Sequence, residues 1–250
     1  MNRLPDFFGI AFLINLPERV DRLRSMKKEM ARVGWEMGPE GIQLFPARRF
    51  ADRANFPNSA IRGCFHSHLE CLQQAHKQGC RSVLILEDDL TFAPSLPRLT
   101  RSILSQLEST KWDLVYFSHE NTGDDSIATW STREQDIKLD DWTTRHILTG
   151  YFYGVHSRLF PRLIEHLNRI KNSAEGDPVM GPMTYDGALN VFRASNGDVK
   201  TLIARPKLGQ QRPSRSDITP RSFDKVRFLR PLTTALRDLK HLAQSWDRDS

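Results

Sequence analysis

The apolar run Val83-Leu84-Ile85-Leu86 closes on three consecutive acids, Glu87, Asp88 and Asp89. Three carboxylates at one point repel one another unless a cation or a buried polar network offsets them. A hard, oxygen-seeking ion such as Mn²⁺ or Mg²⁺, shared with diphosphate oxygens, is their natural companion. Alternation along a strand sends Glu87 and Asp89 to one side and Asp88 to the other. The structural alternative is a loop whose acids cap the next segment or pair with arginines. Far along the chain, Asp186 in Met183-Thr184-Tyr185-Asp186-Gly187 opens a helix. A carboxylate there suits a base that takes a proton from an attacking hydroxyl, and it equally suits an N-terminal helix cap.

Arg19 and Arg22 follow the first apolar run, where a guanidinium fork can hold a phosphate in two bonds or serve as a surface charge on a helix. Ser67 and His68 are adjacent on a helical pattern and so point about 100° apart, and no nucleophile-elbow pattern occurs, which argues against a Ser-His-Asp hydrolase. His68 shares its face with Phe65, Leu69 and Leu72, so a hydrogen-bonded core histidine is the competing role.

Taken in order, Ile14-Asn15-Leu16 with Arg19, Asp21 and Arg22, then Gly63-Cys64-Phe65-His66-Ser67-His68, then Leu84-Ile85-Leu86-Glu87-Asp88-Asp89 resembles glycosyltransferase family 25. That family includes lipopolysaccharide-biosynthesis and collagen galactosyltransferases. The resemblance covers about residues 10–92 and resumes at Tyr185-Asp186-Gly187 and over Gln210–Ile218. It implies a GT-A-like fold, a UDP-sugar donor and transfer with inversion at the anomeric carbon. It implies that Glu87 and Asp89 hold the metal, and that Asn15, Arg19, Arg22, Ser67, His68, Asp88, Gln210 and Ser216 lie on the donor side, with Asp186 as the base. Two departures stand out. Phe45-Pro46-Ala47-Arg48-Arg49-Phe50 lacks the Asp-Gly that many members carry there, and Gly123-Asp124-Asp125 adds an acidic pair that reads as solvated.

The elements that must position these residues alternate in period. Phe7–Leu16 reads as a buried strand, and Val20, Leu23, Met26, Met30 and Val33 mark a helix. Ile42–Phe45 is a short strand, Ile61–Ala75 a helix closed by Gly79, and Val83–Leu86 a buried strand. Leu96–Leu107 is a helix, Leu114–Phe117 a strand, and Ser118–Arg145 a long polar excursion. Ile147–Val155 is strand-like, Leu159–Ile170 and Tyr185–Phe192 helical, and Val199–Ala204 the last strand. This rhythm predicts an α/β fold with a mostly parallel sheet and helices on both faces. One domain is expected over residues 1–220, with a basic amphipathic helix and tail over 221–250.

Composition bounds the rest. With 250 residues, 39% hydrophobic, 14 Gly and 14 Pro, the chain is no collagen, coiled coil or disordered tail. Cys64, Cys71 and Cys80 form no CxxC pair, which fits reduced thiols in the cytoplasm. Phe7–Leu16 is about half the length of a membrane span and lacks a leader's flanks. The net charge of +6 gathers late, between Arg205 and Arg230, and together with the C-terminal helix would allow peripheral contact with an inner membrane. The expected activity is metal-assisted transfer of a hexose, galactose first, from a UDP-sugar to a glycan or glycolipid acceptor such as lipopolysaccharide core, with no nucleic-acid partner. The alternatives are a metal-dependent phosphohydrolase or nuclease, and a basic nucleic-acid- or membrane-binding module without catalysis.

Overall fold

The computed structural model describes residues 3–120, 137–175, 177 and 181–212. The expected C-terminal helix, Ser216 and the Gly123-Asp124-Asp125 pair lie outside the described residues. The described ones all fall within one compact unit, Met1–Pro213.

Nine strands alternate with six helices among the described residues: α1 Leu4–Phe7, β1 Ile10–Asn15, α2 Val20–Arg32, β2 Ile42–Pro46, α3 Ser59–Lys77, β3 Ser82–Glu87, β4 Leu90–Phe92, α4 Leu96–Ser109, β5 Leu114–Glu120, β6 Lys138–Asp141, β7 Leu148–His156, α5 Phe160–Asn172, α6 Tyr185–Ser195, β8 Thr201–Arg205 and β9 Gly209–Gln211. Seven strands form one sheet in the order β2-β1-β3-β7-β5-β8-β6, and β4 pairs with β9 in a small second sheet. The pairings make β2, β1, β3, β5 and β8 co-directional, with β7 and β6 running against them. The expected α/β architecture with a mostly parallel sheet therefore stands.

Alternation along each strand builds two cores. Ile10, Phe12 and Ile14 of β1 and Val83 and Ile85 of β3 face the helices α3, α5 and α6, whereas Ala11, Leu13, Leu84 and Leu86 face α1, α2 and α4. Such strands are apolar on both faces because helices cover both sides of the sheet. Each fully buried Leu, Ile or Phe contributes roughly 1.5–3 kcal/mol from water exclusion. On α2, Met26 and Met30 are the buried stripe, and Arg22 stands one turn before Met26 on that stripe, so it is aimed at the strand ends. Asn58 caps α3, accepting from the Ile61 amide at 2.8 Å, and Gly79 follows its C-terminus at φ +66°, a left-handed position glycine adopts without strain.

Two expectations needed correction. The run Phe7–Leu16 is not all strand, because Phe7 closes the helical turn Leu4–Phe7 and the strand spans only Ile10–Asn15. The excursion from Ser118 to Arg145 also holds structure. β5 continues through Glu120 with His119 buried, and Lys138–Asp141 is the edge strand β6. Among the described residues no helix is long and apolar enough to cross a membrane.

Candidate active site at the ends of β1 and β3

The chain leaves β1 toward β2 on one side and returns to β3 on the other, so the strand order reverses between β1 and β3. In open α/β sheets the crevice outside the carboxyl ends at such a reversal is where ligands bind. Asn15 ends β1 there, and Glu87 ends β3 with Ile14 as its register partner.

Asp88 is buried and fully committed. Its Oδ2 accepts from Asn15 Nδ2 at 2.6 Å, and its Oδ1 accepts from Arg22 Nη1 at 3.0 Å. The same Nη1 lies 3.2 Å from Asp89 Oδ2, and Gln211 Nε2 donates to that oxygen at 3.1 Å. Asp89 therefore does not simply share Glu87's side, as alternation along an extended strand would require. β3 stops at Glu87, and the turn through Asp88 and Asp89 into β4 carries Asp89 back to Arg22. Asn15, Arg22 and Asp88 thus form a polar frame under the acids. Arg19 sits at the N-terminal end of α2, paired with Asp21 at 3.1 Å, while its carbonyl accepts from Asn15.

Glu87 continues the other face and meets His68 from α3, with Nε2 and Oε1 3.2 Å apart. His68 Nδ1 lies 2.8 Å from the Tyr153 hydroxyl, which donates to the Tyr185 hydroxyl at 3.0 Å. The Tyr185 ring stacks on the imidazole at 4.4 Å. Cys64, one helical turn before His68, completes a group whose ligand atoms lie within 4.8 Å of one another. Tyr153 and Tyr185 escaped the sequence reading because aromatic residues in apolar stretches look like core filling, and they are core as well.

Ser67 serves α3 rather than the crevice. Its hydroxyl donates to the Gly63 carbonyl at 2.7 Å and accepts from the Arg48 amide at 2.8 Å, in a fully buried position. Gly63 permits this clamp, since a Cβ there would stand 2.3 Å from the Arg48 carbonyl. These bonds tie Ser67 to the junction of α3 with the Arg48 backbone, and its donor-side role stays a proposal. Gln210 stands apart from the acids. It is exposed on β9, opposite Thr91, and alternation turns Gln211 to Asp89 instead. Arg212, the next residue along, donates from Nη2 to the Asp88 carbonyl at 2.7 Å.

The capping role open to Asp186 is taken by Thr184, whose Oγ1 accepts from the Gly187 amide at 3.2 Å. Asp186 lies half-buried in the first turn of α6, where the helix dipole favours its charge. Its negative charge adds to the burial that pushes the Glu87 carboxyl up and partly opposes the burial that holds His68 down, which places it electrostatically at the same cluster.

Burial, with repulsion from Asp186 and Asp88, pushes the Glu87 carboxyl up to about 8, against the opposing pull of Arg22. Glu87 keeps 24% of its side chain exposed, so water softens that rise. Burial and the charge of Glu87 push Asp89 up to about 6. Burial holds His68 down at about 4, a neutral imidazole. Asp89 Oδ1 is buried with no hydrogen-bond partner among the described residues. An acid cluster that one arginine only partly offsets, with an orphaned carboxylate oxygen inside it, fits a hard divalent cation.

Residues 44–139 match the family described as "Glycosyltransferase family 25 (LPS biosynthesis protein)". The resemblance read from the motifs is thus shown over the segment that holds Cys64, Ser67, His68 and the acidic triplet. Asn15, Arg19, Arg22, Asp186, Gln210 and Ser216 lie outside the match. A "Glycosyltransferase 25 family member" of Anopheles gambiae is 25% identical over 165 residues, 57% of this chain and 25% of that protein. "Procollagen galactosyltransferase 1-B" of Xenopus laevis is 26% identical over 138 residues, 47% of this chain and 23% of that protein. The chain thus spans about a quarter of the length of these curated relatives. Among solved structures, the "crystal structure of a glycosyltransferase involved in the glycosylation of the major capsid of PBCV-1" aligns with a TM-score of 0.44 and 13% identity, over 79% of this chain and 82% of that one.

Proposed function

We propose that this chain, similar to glycosyltransferase family 25 across residues 44–139, is a glycosyltransferase that moves a hexose from a UDP-sugar to a glycan or glycolipid acceptor with inversion. Galactose is the first choice of sugar because relatives carry the name procollagen galactosyltransferase. Lipopolysaccharide core is the first choice of acceptor because the matched family is described by that biosynthesis. The observation that carries the reading is the orphaned Asp89 Oδ1 in an acid cluster at the reversal of strand order.

Glu87 and Asp89 would hold Mn²⁺ or Mg²⁺, whose charge would offset that of the departing diphosphate. The chain's own groups supply the rest. Asn15 and Arg22 fix Asp88 and limit the repulsion among the acids, and Asp89 keeps one oxygen, Oδ1, without a hydrogen-bond partner among the described residues. Asp186 takes the proton of the acceptor hydroxyl as the new C–O bond forms at the anomeric carbon and the bond to the diphosphate oxygen breaks, releasing UDP. An ionised Asp186 is compatible with its place in the first turn of α6. The proposed location is the cytoplasm.

Incubation of the chain with a panel of UDP-hexoses and Mn²⁺ tests the reading. Slow release of UDP from UDP-galactose, lost in Asp89→Ala, is expected. A panel without any turnover, under conditions where the protein is folded and metal-loaded, would remove it.

A further inference from the structure

The group formed by Cys64, His68 and Glu87 differs in chemistry from the acid cluster beside it. Cys64 and His68 are four residues apart on α3, a spacing that stacks two ligands on one helical face. Glu87 reaches the same point from the end of β3. The sulfur, one imidazole nitrogen and a carboxylate oxygen all lie within 4.8 Å of one another.

The hydrogen bonds behind the imidazole suit a bare Nε2. In the tautomer whose Nδ1–H donates to the Tyr153 hydroxyl, 2.8 Å away, that hydroxyl donates onward to Tyr185 at 3.0 Å. Nε2 then presents a lone pair to Glu87 Oε1, 3.2 Å away. Two acceptors at that distance need either a proton or a cation between them. A tetrahedral zinc-class ion with bonds of about 2.0–2.2 Å to nitrogen and oxygen separates those two ligands by roughly 3.3 Å. The supporting shell is already in place, because a ligating histidine has its other N–H held by a neighbouring acceptor, here Tyr153. Burial first, and then the charges of Glu87, Asp186 and Asp89, push the Cys64 thiol up, so a bound cation is what would hold it as the thiolate.

We propose that Cys64 Sγ, His68 Nε2 and Glu87 Oε1 form a binding site for a zinc-class divalent cation, which shares Glu87 with the oxygen-only Mn²⁺ or Mg²⁺ site at Asp89 and differs from it in ligand chemistry. Thiolate and imidazole select such an ion over Mn²⁺ and Mg²⁺. Binding converts the thiol to a metal-bound thiolate and releases its proton to solvent. Three protein ligands leave the fourth position for water.

Full-length protein stripped with chelator and titrated with Co²⁺ tests this. One equivalent is expected to give the intense visible bands of a tetrahedral site and a thiolate-to-cobalt charge-transfer band, both displaced by Zn²⁺. Cys64→Ser should abolish the charge-transfer band and weaken binding at least tenfold, whereas Cys80→Ser should retain both. X-ray absorption of the zinc-loaded wild type, which needs no variant, should show one sulfur scatterer at about 2.3 Å. Absence of sulfur from that shell, or a charge-transfer band that persists in Cys64→Ser, would overturn the proposal. None of these readings depends on UDP or on turnover, so the outcome is separate from that of the transferase reading.

Discussion

Arg22 Nη1 stands 3.0 Å from Asp88 Oδ1 and 3.2 Å from Asp89 Oδ2, so one guanidinium is shared by two buried carboxylates. Removing one partner of a buried ion pair leaves the other charge uncompensated, which is far more costly than the pair's own net worth. Arg22→Ala should therefore destabilise the protein by on the order of 3 kcal/mol, read from urea unfolding. A loss under about 1 kcal/mol, the range of solvent-screened surface pairs, would show that water does the compensating.

Ser67→Ala removes two hydrogen bonds of the clamp between α3 and the Arg48 backbone. A stability loss of about 1–3 kcal/mol is expected, with UDP affinity unchanged within twofold. A selective loss of UDP affinity at unchanged melting temperature would return Ser67 to the donor side.

Asp89 has a folded-state value of about 6 against an ordinary 3.8, and Glu87 about 8 against 4.5. Raised values mean that the contribution of these groups to stability is fully present below their ordinary values and is lost as pH rises through the folded ones. Metal-free protein should accordingly weaken between about pH 4 and pH 8 on account of these two groups. Asp89→Asn should remove part of that loss and stabilise chelator-treated protein at pH 8 by roughly 2 kcal/mol. Thermal melts at pH 5 and pH 8 measure it. If Asp89→Asn instead destabilises at pH 8, the aspartate is favourably ionised and the cluster is not strained.

Asp186→Asn keeps the side-chain shape and removes the proton acceptor. Because Thr184 is the cap of α6, the capping of α6 should be unaffected, with transfer slowed by about 10²–10⁴-fold and the dissociation constant of UDP moved less than threefold. Comparable losses in both would take Asp186 out of the base role.

Much of this arrangement was legible in the sequence because the sheet is covered on both faces. Val83–Leu86 and its partner in β1 had to be apolar throughout, so the acids at their end stood out as a terminus and not as a surface stretch. Side-chain destinations just past the strand ends were not legible. The turn at Asp88 and Asp89 resets the alternation, and the register of β9 on β4 decides that Gln211 and not Gln210 reaches Asp89. β4, β6 and β9 are three or four residues long, too short for any period to show, and their pairing partners are distant in the chain. Likewise, nothing local in Gly63-Cys64-Phe65-His66-Ser67-His68 separates the residue that clamps Arg48 from the one that faces Glu87. One helical turn of packing does so.

The central claim is that Asp89 holds a cation to which the nucleotide diphosphate is tied. Calorimetric titration of UDP into the protein, with Mn²⁺ and with chelator, measures it directly. The account predicts binding that requires Mn²⁺ in the wild type and vanishes in Asp89→Ala while the melting transition stays cooperative. Equal UDP affinity with and without the ion, or metal-dependent binding that survives Asp89→Ala, would contradict it.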